Sequence, residues 1–153
     1  MRAEDAMKTI DAAIQAAVWA PSVHNTQPWS FAVDDEEISL RADSDRRLRV
    51  GDVTGREMLI SCGAALANMR IALHAMGHEA PVRVLPDPDR PALLASVRPG
   101  GPAEVDEHTA MLYGQVERRR THRSGFTDRP VPERLVDELV QQAAMEGARL
   151  TPI

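Results

Sequence analysis

The apolar positions along this chain fall into a few distinct runs. In "AMKTIDAAIQAAVWA", residues 6–20, Ile10, Ile14, Ala17 and Val18 share one face while Lys8, Asp11 and Gln15 point elsewhere. That spacing predicts an amphipathic helix, ended by Pro21. "SFAVDDEEISLRAD", residues 30–43, reads as two short strands around an acidic turn from Asp34 to Glu37. The longest run is "REMLISCGAALANMRIALHAMG", residues 56–77, where Leu59, Cys62, Leu66, Met69, Leu73 and Met76 step by three and four like a coiled-coil seam. Gly63, Ala64, Ala65 and Ala67 would let another helix approach that stretch closely, and Gly77 would cap it. "APVRVLPD" and "LLASVR" predict further strands, residues 104–118 and 132–145 two more helices, and "ARLTPI" the start of a strand. The sum is an α+β chain with a small antiparallel sheet and a long central helix.

Composition narrows the class. At 153 residues with 43% hydrophobic and 27% charged positions, the chain has the length and balance of one globular domain. Only 3% of it is aromatic, so the core must rest on Ala, Leu, Val, Ile and Met. A net charge of −5 argues against nucleic-acid binding. No apolar run is expected to reach membrane length, and the acids near the N-terminus do not suit a signal peptide, so no membrane partner is expected. Cys62 is the only cysteine, which fits a reducing compartment and a cytoplasmic location. On the apolar seam it reads as a buried, inert thiol. His74 and His78 have metal-ligand spacing, but Gly77 falls between them and no third ligand is apparent, so no metal site is expected.

Two stretches carry chemistry. "WAPSVHNTQPWSF", residues 19–31, sets Ser22, His24, Asn25, Thr26 and Gln27 between two prolines and both tryptophans. "ERRRTHRSGF" puts Arg118, Arg119, Arg120 and Arg123 beside Thr121 in an otherwise acidic protein. Arginine forks match phosphate oxygens, with charge-assisted and often bidentate bonds. Cations near a helix C-terminus also complement its dipole while staying solvated, so this cluster alone assigns no function.

Together the two stretches resemble the nitroreductase family of flavin enzymes. Its loop pattern, roughly P-S-x-x-N-x-Q-P-W, is matched by Pro21, Ser22, Asn25, Gln27, Pro28 and Trp29. Arg119, Arg120, Thr121 and Arg123 resemble its phosphate-binding element. The arginine element follows the loop here, the reverse of the usual order. That order resembles the Acg-type branch, in which two nitroreductase-like halves are fused. The resemblance implies a first half over 1–102 and the start of a second over 103–153, with the rest of the second half missing. It implies FMN as cofactor, with Arg119, Arg120, Thr121 and Arg123 at the phosphate and Pro21, Ser22, Val23 and Asn25 along the flavin and ribityl side. Trp29 and Pro28 read as braces of the loop. NAD(P)H would be the reductant and a nitroaromatic, quinone or similar small molecule the acceptor. No catalytic acid or base is assigned, and His24 is open to either substrate or solvent. A flavin-binding protein without turnover and an inactive fragment remain alternatives. A third reading is a pure dimerisation module built on the Leu59–Met76 seam, and that seam would be expected to pair across a homodimer.

Overall fold

The computed structural model describes residues 3–153, which divide into two compact units, one ending at Thr121 and one running from His122 to Ile153. In the first unit, helix α1 (Ala3–Val18) is followed by strands β1 (Trp29–Asp34) and β2 (Glu37–Ala42). Then come α2 (Arg56–Ala75), β3 (Val82–Val84), β4 (Leu93–Val97) and α3 (Glu107–Val116). The sheet is antiparallel throughout, in the order β1-β2-β4-β3.

Period-two alternation orients the sheet. Ile38 and Leu40 of β2 are buried and stand opposite Val97 and Ala95 of β4, while Arg41 turns to solvent. The β1–β2 link is a two-residue turn, Asp35 and Glu36, both at positive φ (45° and 62°). Arg98 holds it, donating to the Asp35 carbonyl at 2.6 Å.

α1 buries Ala6, Ile10, Ala13 and Ala17, a stripe at four-three-four spacing, against α2. Alanines on both helices, with Ala65 and Ala72 from α2, permit the close approach. α2 is therefore enclosed by its own chain. Cys62, Met69 and Leu73 lie in the core between α1 and the sheet, each apolar side chain worth about 1.5–3 kcal/mol when buried. This corrects the expectation that the seam would pair across a dimer, because those residues already have intrachain partners. Only the N-terminal end of the seam is open, with Leu59 48% exposed. Gly63 faces open space, so it is not where a second helix approaches.

α2 also corrects the expectation about membrane length: by length and composition it could cross a membrane. Its buried face packs as the helix of a protein core does. Gly77, at φ 79°, closes it as expected. Its start is fixed from outside, by the buried Asp52 carboxylate accepting from the Glu57 and Met58 amides at 3.2 and 2.8 Å. α3 starts later than residue 104, because Asp106 is extended and caps it, accepting from the Thr109 amide at 2.7 Å.

The second unit contains α4 (Glu133–Met145), close to the helix expected there. Residues 148–153 are not a strand, and their unit offers no other strand to pair with.

Candidate functional site

The Pro21–Trp29 loop leaves the end of α1 and enters β1. Trp19 and Ala20 close the helix with short backbone bonds to Ala16 and Ala17. Ser22 is extended, and Val23–Asn25 form a tight turn in which His24 has left-handed backbone. The turn is closed by Asn25 N–H to Ser22 O and Thr26 N–H to Val23 O, both 3.0 Å. The Thr26 hydroxyl also donates to Val23 O at 2.9 Å, and the Ser22 hydroxyl oxygen accepts from the Gln27 amide at 3.0 Å.

His24, Asn25 and Gln27 all have positive φ, at 47°, 56° and 48°. Each non-glycine residue in that region costs about 1–2 kcal/mol, so the surroundings must impose the shape. They do so from three sides. The Val23 amide donates to the Ser61 hydroxyl oxygen at 3.1 Å. The Cys62 thiol donates to the Pro28 carbonyl at 3.2 Å. Arg46 reaches the Gln27 carbonyl at 3.4 Å. Trp29 is buried beneath the loop, and Pro28 with it, as expected of braces.

The site residues read from the sequence divide by what they are free to do. Ser22 and Val23 are half-buried and use polar groups to shape the loop. Pro21, His24 and Asn25 are exposed. The Asn25 side-chain amide has no hydrogen-bond partner among the described residues.

The arginine element of the first unit lies against the start of this loop. Arg119 donates to the Trp19 carbonyl at 3.4 Å, across 100 residues of chain, and to the Thr121 hydroxyl at 3.4 Å. Arg120 places its guanidinium carbon 5.8 Å from the centroid of the Trp19 ring and donates to the carbonyls of Glu117 and Arg119. Among the described residues neither guanidinium is paired with a carboxylate. Two exposed cations beside a hydroxyl suit an oxyanion. Arg123 belongs to the second unit, exposed, between a His122–Phe126 ring contact and α4.

Burial pushes the Cys62 thiol up to about 11, so it stays protonated and serves as a donor. Ser61 and Arg46 were not singled out in the sequence. A serine inside an apolar helical stripe is a signal that could have found Ser61; Arg46 leaves none.

No family model matches the chain. Two relatives from Mycobacterium tuberculosis H37Rv do. Putative NAD(P)H nitroreductase Rv3131 is 35% identical over 146 residues, 95% of this chain and 42% of that protein. Putative NAD(P)H nitroreductase acg is 39% identical over 129 residues, 82% of this chain and 39% of that protein. The chain thus spans about two fifths of their length. Among solved structures, a nitroreductase-family protein from Desulfovibrio desulfuricans in complex with FMN matches 82% of this chain and 86% of its own at TM-score 0.51 and 21% identity. One from Parabacteroides distasonis matches 65% and 76% at TM-score 0.51 and 22% identity. The fold is that of the nitroreductases. Fold and sequence together place the chain in the nitroreductase family, beside its Acg-type members.

Proposed function

We propose that this chain forms part of an FMN-dependent NAD(P)H oxidoreductase of the nitroreductase type. Its electron acceptor would be a nitroaromatic, a quinone or a similar small molecule, and its setting cytoplasmic. The observation that carries the reading is the Arg119–Trp19 contact, which sets the arginine element against the Pro21–Trp29 loop. The groups present fit the cofactor. Arg119 and Arg120, with the Thr121 hydroxyl, supply fixed positive charge and a neutral donor for a dianionic phosphate. For Arg123, which belongs to the second unit, a phosphate role rests on the sequence resemblance alone. Pro21, Ser22, Val23 and Asn25 offer an uncharged surface, with the Asn25 amide free to bond a ribityl hydroxyl or a ring edge. When bound, the flavin supplies the redox chemistry. The protein's part is to grip the phosphate, orient the ring and keep charged groups away from it.

We also propose that the chain works as a homodimer, with the apolar groove lined by Leu59, Val84 and Leu85 as its contact surface. The Arg119–Trp19 contact favours one other reading, a protein that holds flavin without turning it over. Purified chain incubated with FMN and desalted should retain a flavin spectrum, and NADPH should bleach it. Arg119→Glu should weaken FMN binding at least tenfold and leave riboflavin, which has no phosphate, little changed. A retained flavin that NADPH does not bleach supports storage. Loss of both flavins from the unaltered chain overturns the cofactor assignment.

A further inference from the structure

α2 carries two polar residues, Ser61 and Asn68, on its packed side, seven residues or about 10 Å apart along the axis. Each holds one piece of the approach to the candidate site. The Asn68 amide donates to the Ala16 carbonyl at 3.1 Å, a second donor there beside the Trp19 amide at the end of α1. The Ser61 hydroxyl is 4% exposed and bonded on both sides. It donates to Glu57 O one turn back at 2.7 Å and accepts from the Val23 amide at 3.1 Å. The back-bond fixes the hydroxyl proton on the helix, so a lone pair faces Val23. Next to it, Cys62 holds the far end of the loop through Pro28. Between these two anchors lie the three left-handed residues His24, Asn25 and Gln27.

We propose that Ser61 is a positioning residue for the candidate flavin site, holding Val23 so that the strained turn presents Asn25 in one orientation. The role rests on the cofactor reading above, yet the geometry makes it testable apart from that reading. A strained turn reverts to relaxed backbone once its anchor is removed. Loop order at Val23 should therefore depend on the Ser61 oxygen and not on the bulk of the side chain.

The measurement is amide hydrogen exchange on the full chain, for the unaltered protein, Ser61→Ala and Ser61→Thr. Ser61→Ala should speed exchange at Val23 through Gln27 at least tenfold. Ser61→Thr, which keeps the hydroxyl, should hold it near the unaltered rate. Amides of Ile38, Leu40, Ala95 and Val97 report that the core is intact and should not move. An unchanged Val23 rate in a folded Ser61→Ala protein overturns the proposal, as does equal acceleration by Ser61→Thr. Flavin titration supplies the second readout. Ser61→Ala should weaken FMN and riboflavin by the same factor, several-fold, because the loop faces the part both share, whereas Arg119→Glu discriminates between them. Unchanged affinity for both in Ser61→Ala overturns the link to the site. If the unaltered chain binds neither flavin, the cofactor reading falls, and the exchange data alone decide what Ser61 does to the loop.

Discussion

Cys62 illustrates how one residue's chemistry is fixed by its neighbours. Its thiol sits in the core and donates to Pro28, and burial raises it to about 11 from an ordinary value of 9.0. A group whose folded value is raised stabilises the protein fully below its unfolded value and loses that contribution as pH climbs through the folded one. Stability should therefore hold to about pH 9 and decline toward pH 11, by denaturant midpoint at each pH. Cys62→Ala should flatten that part of the profile while lowering stability at neutral pH, because it leaves a small cavity and an unmet carbonyl. An identical high-pH decline in Cys62→Ala would remove the thiol from the explanation. The buried thiol was legible, because an apolar helical seam surrounds it in the sequence. The left-handed His24 and Gln27 were not. Asn and His tolerate that region better than Gln, and bonds that hold the loop in it come from Ser61 and Arg46, distant in sequence.

At the scale of elements, the helices and strands were readable because period-two and period-3.6 patterns are local. The partner of each face was not. The six-position seam looked unpartnered, yet alanines spread along α1 made a surface flat enough for α2 to press against. Alanine gives only a weak sequence signal of burial, so the pattern alone does not mark that face as a partner for α2. The contact between Trp19 and Arg119 was also beyond local pattern: motif order suggested that the two stretches belong to one site, but only the fold brings them within 3.4 Å. The β1–β2 hairpin yields a prediction of its own. Both central residues need positive φ, the requirement of a type I′ turn, and the sequence supplies Asp35-Glu36 where Asp-Gly is preferred. Glu36→Gly removes an exposed side chain and relieves the strain at φ 62°. It should stabilise the first unit by about 0.5–1 kcal/mol, less than the full αL penalty because glycine also gains entropy when unfolded. An unchanged or lower melting temperature would show that the turn carries no strain worth relieving.

Across the molecule, exposed apolar side chains are spread over many elements, and one group of them gathers where the buried seam ends. Leu59 at the start of α2, 48% exposed, faces the same groove as Val84 and Leu85 at the end of β3, 68% and 60% exposed. Leu59, Val84 and Leu85 line an apolar groove of about 230 Å³ together with Gly63 and the buried Leu40, Cys62 and Ala95. Patches of this kind mark surfaces that meet another molecule, and the homodimer proposed above places it there in place of the central seam. The energetics limit how tight such a dimer can be. Six half-exposed side chains, three from each copy, have about half of 1.5–3 kcal/mol each still to gain, about 4.5–9 kcal/mol gross. Lost rotational and translational freedom costs about 4–15 kcal/mol. What remains corresponds at best to submillimolar affinity. Sedimentation should therefore show monomer at low concentration and growing dimer toward about 100 μM, a range where such affinities become visible. Leu85→Asp should hold the chain monomeric without disturbing α2, since Leu85 is exposed and outside the core cluster. A monomer at the highest concentration reached, or a dimer that Leu85→Asp leaves intact, would put the groove out of use as a subunit contact.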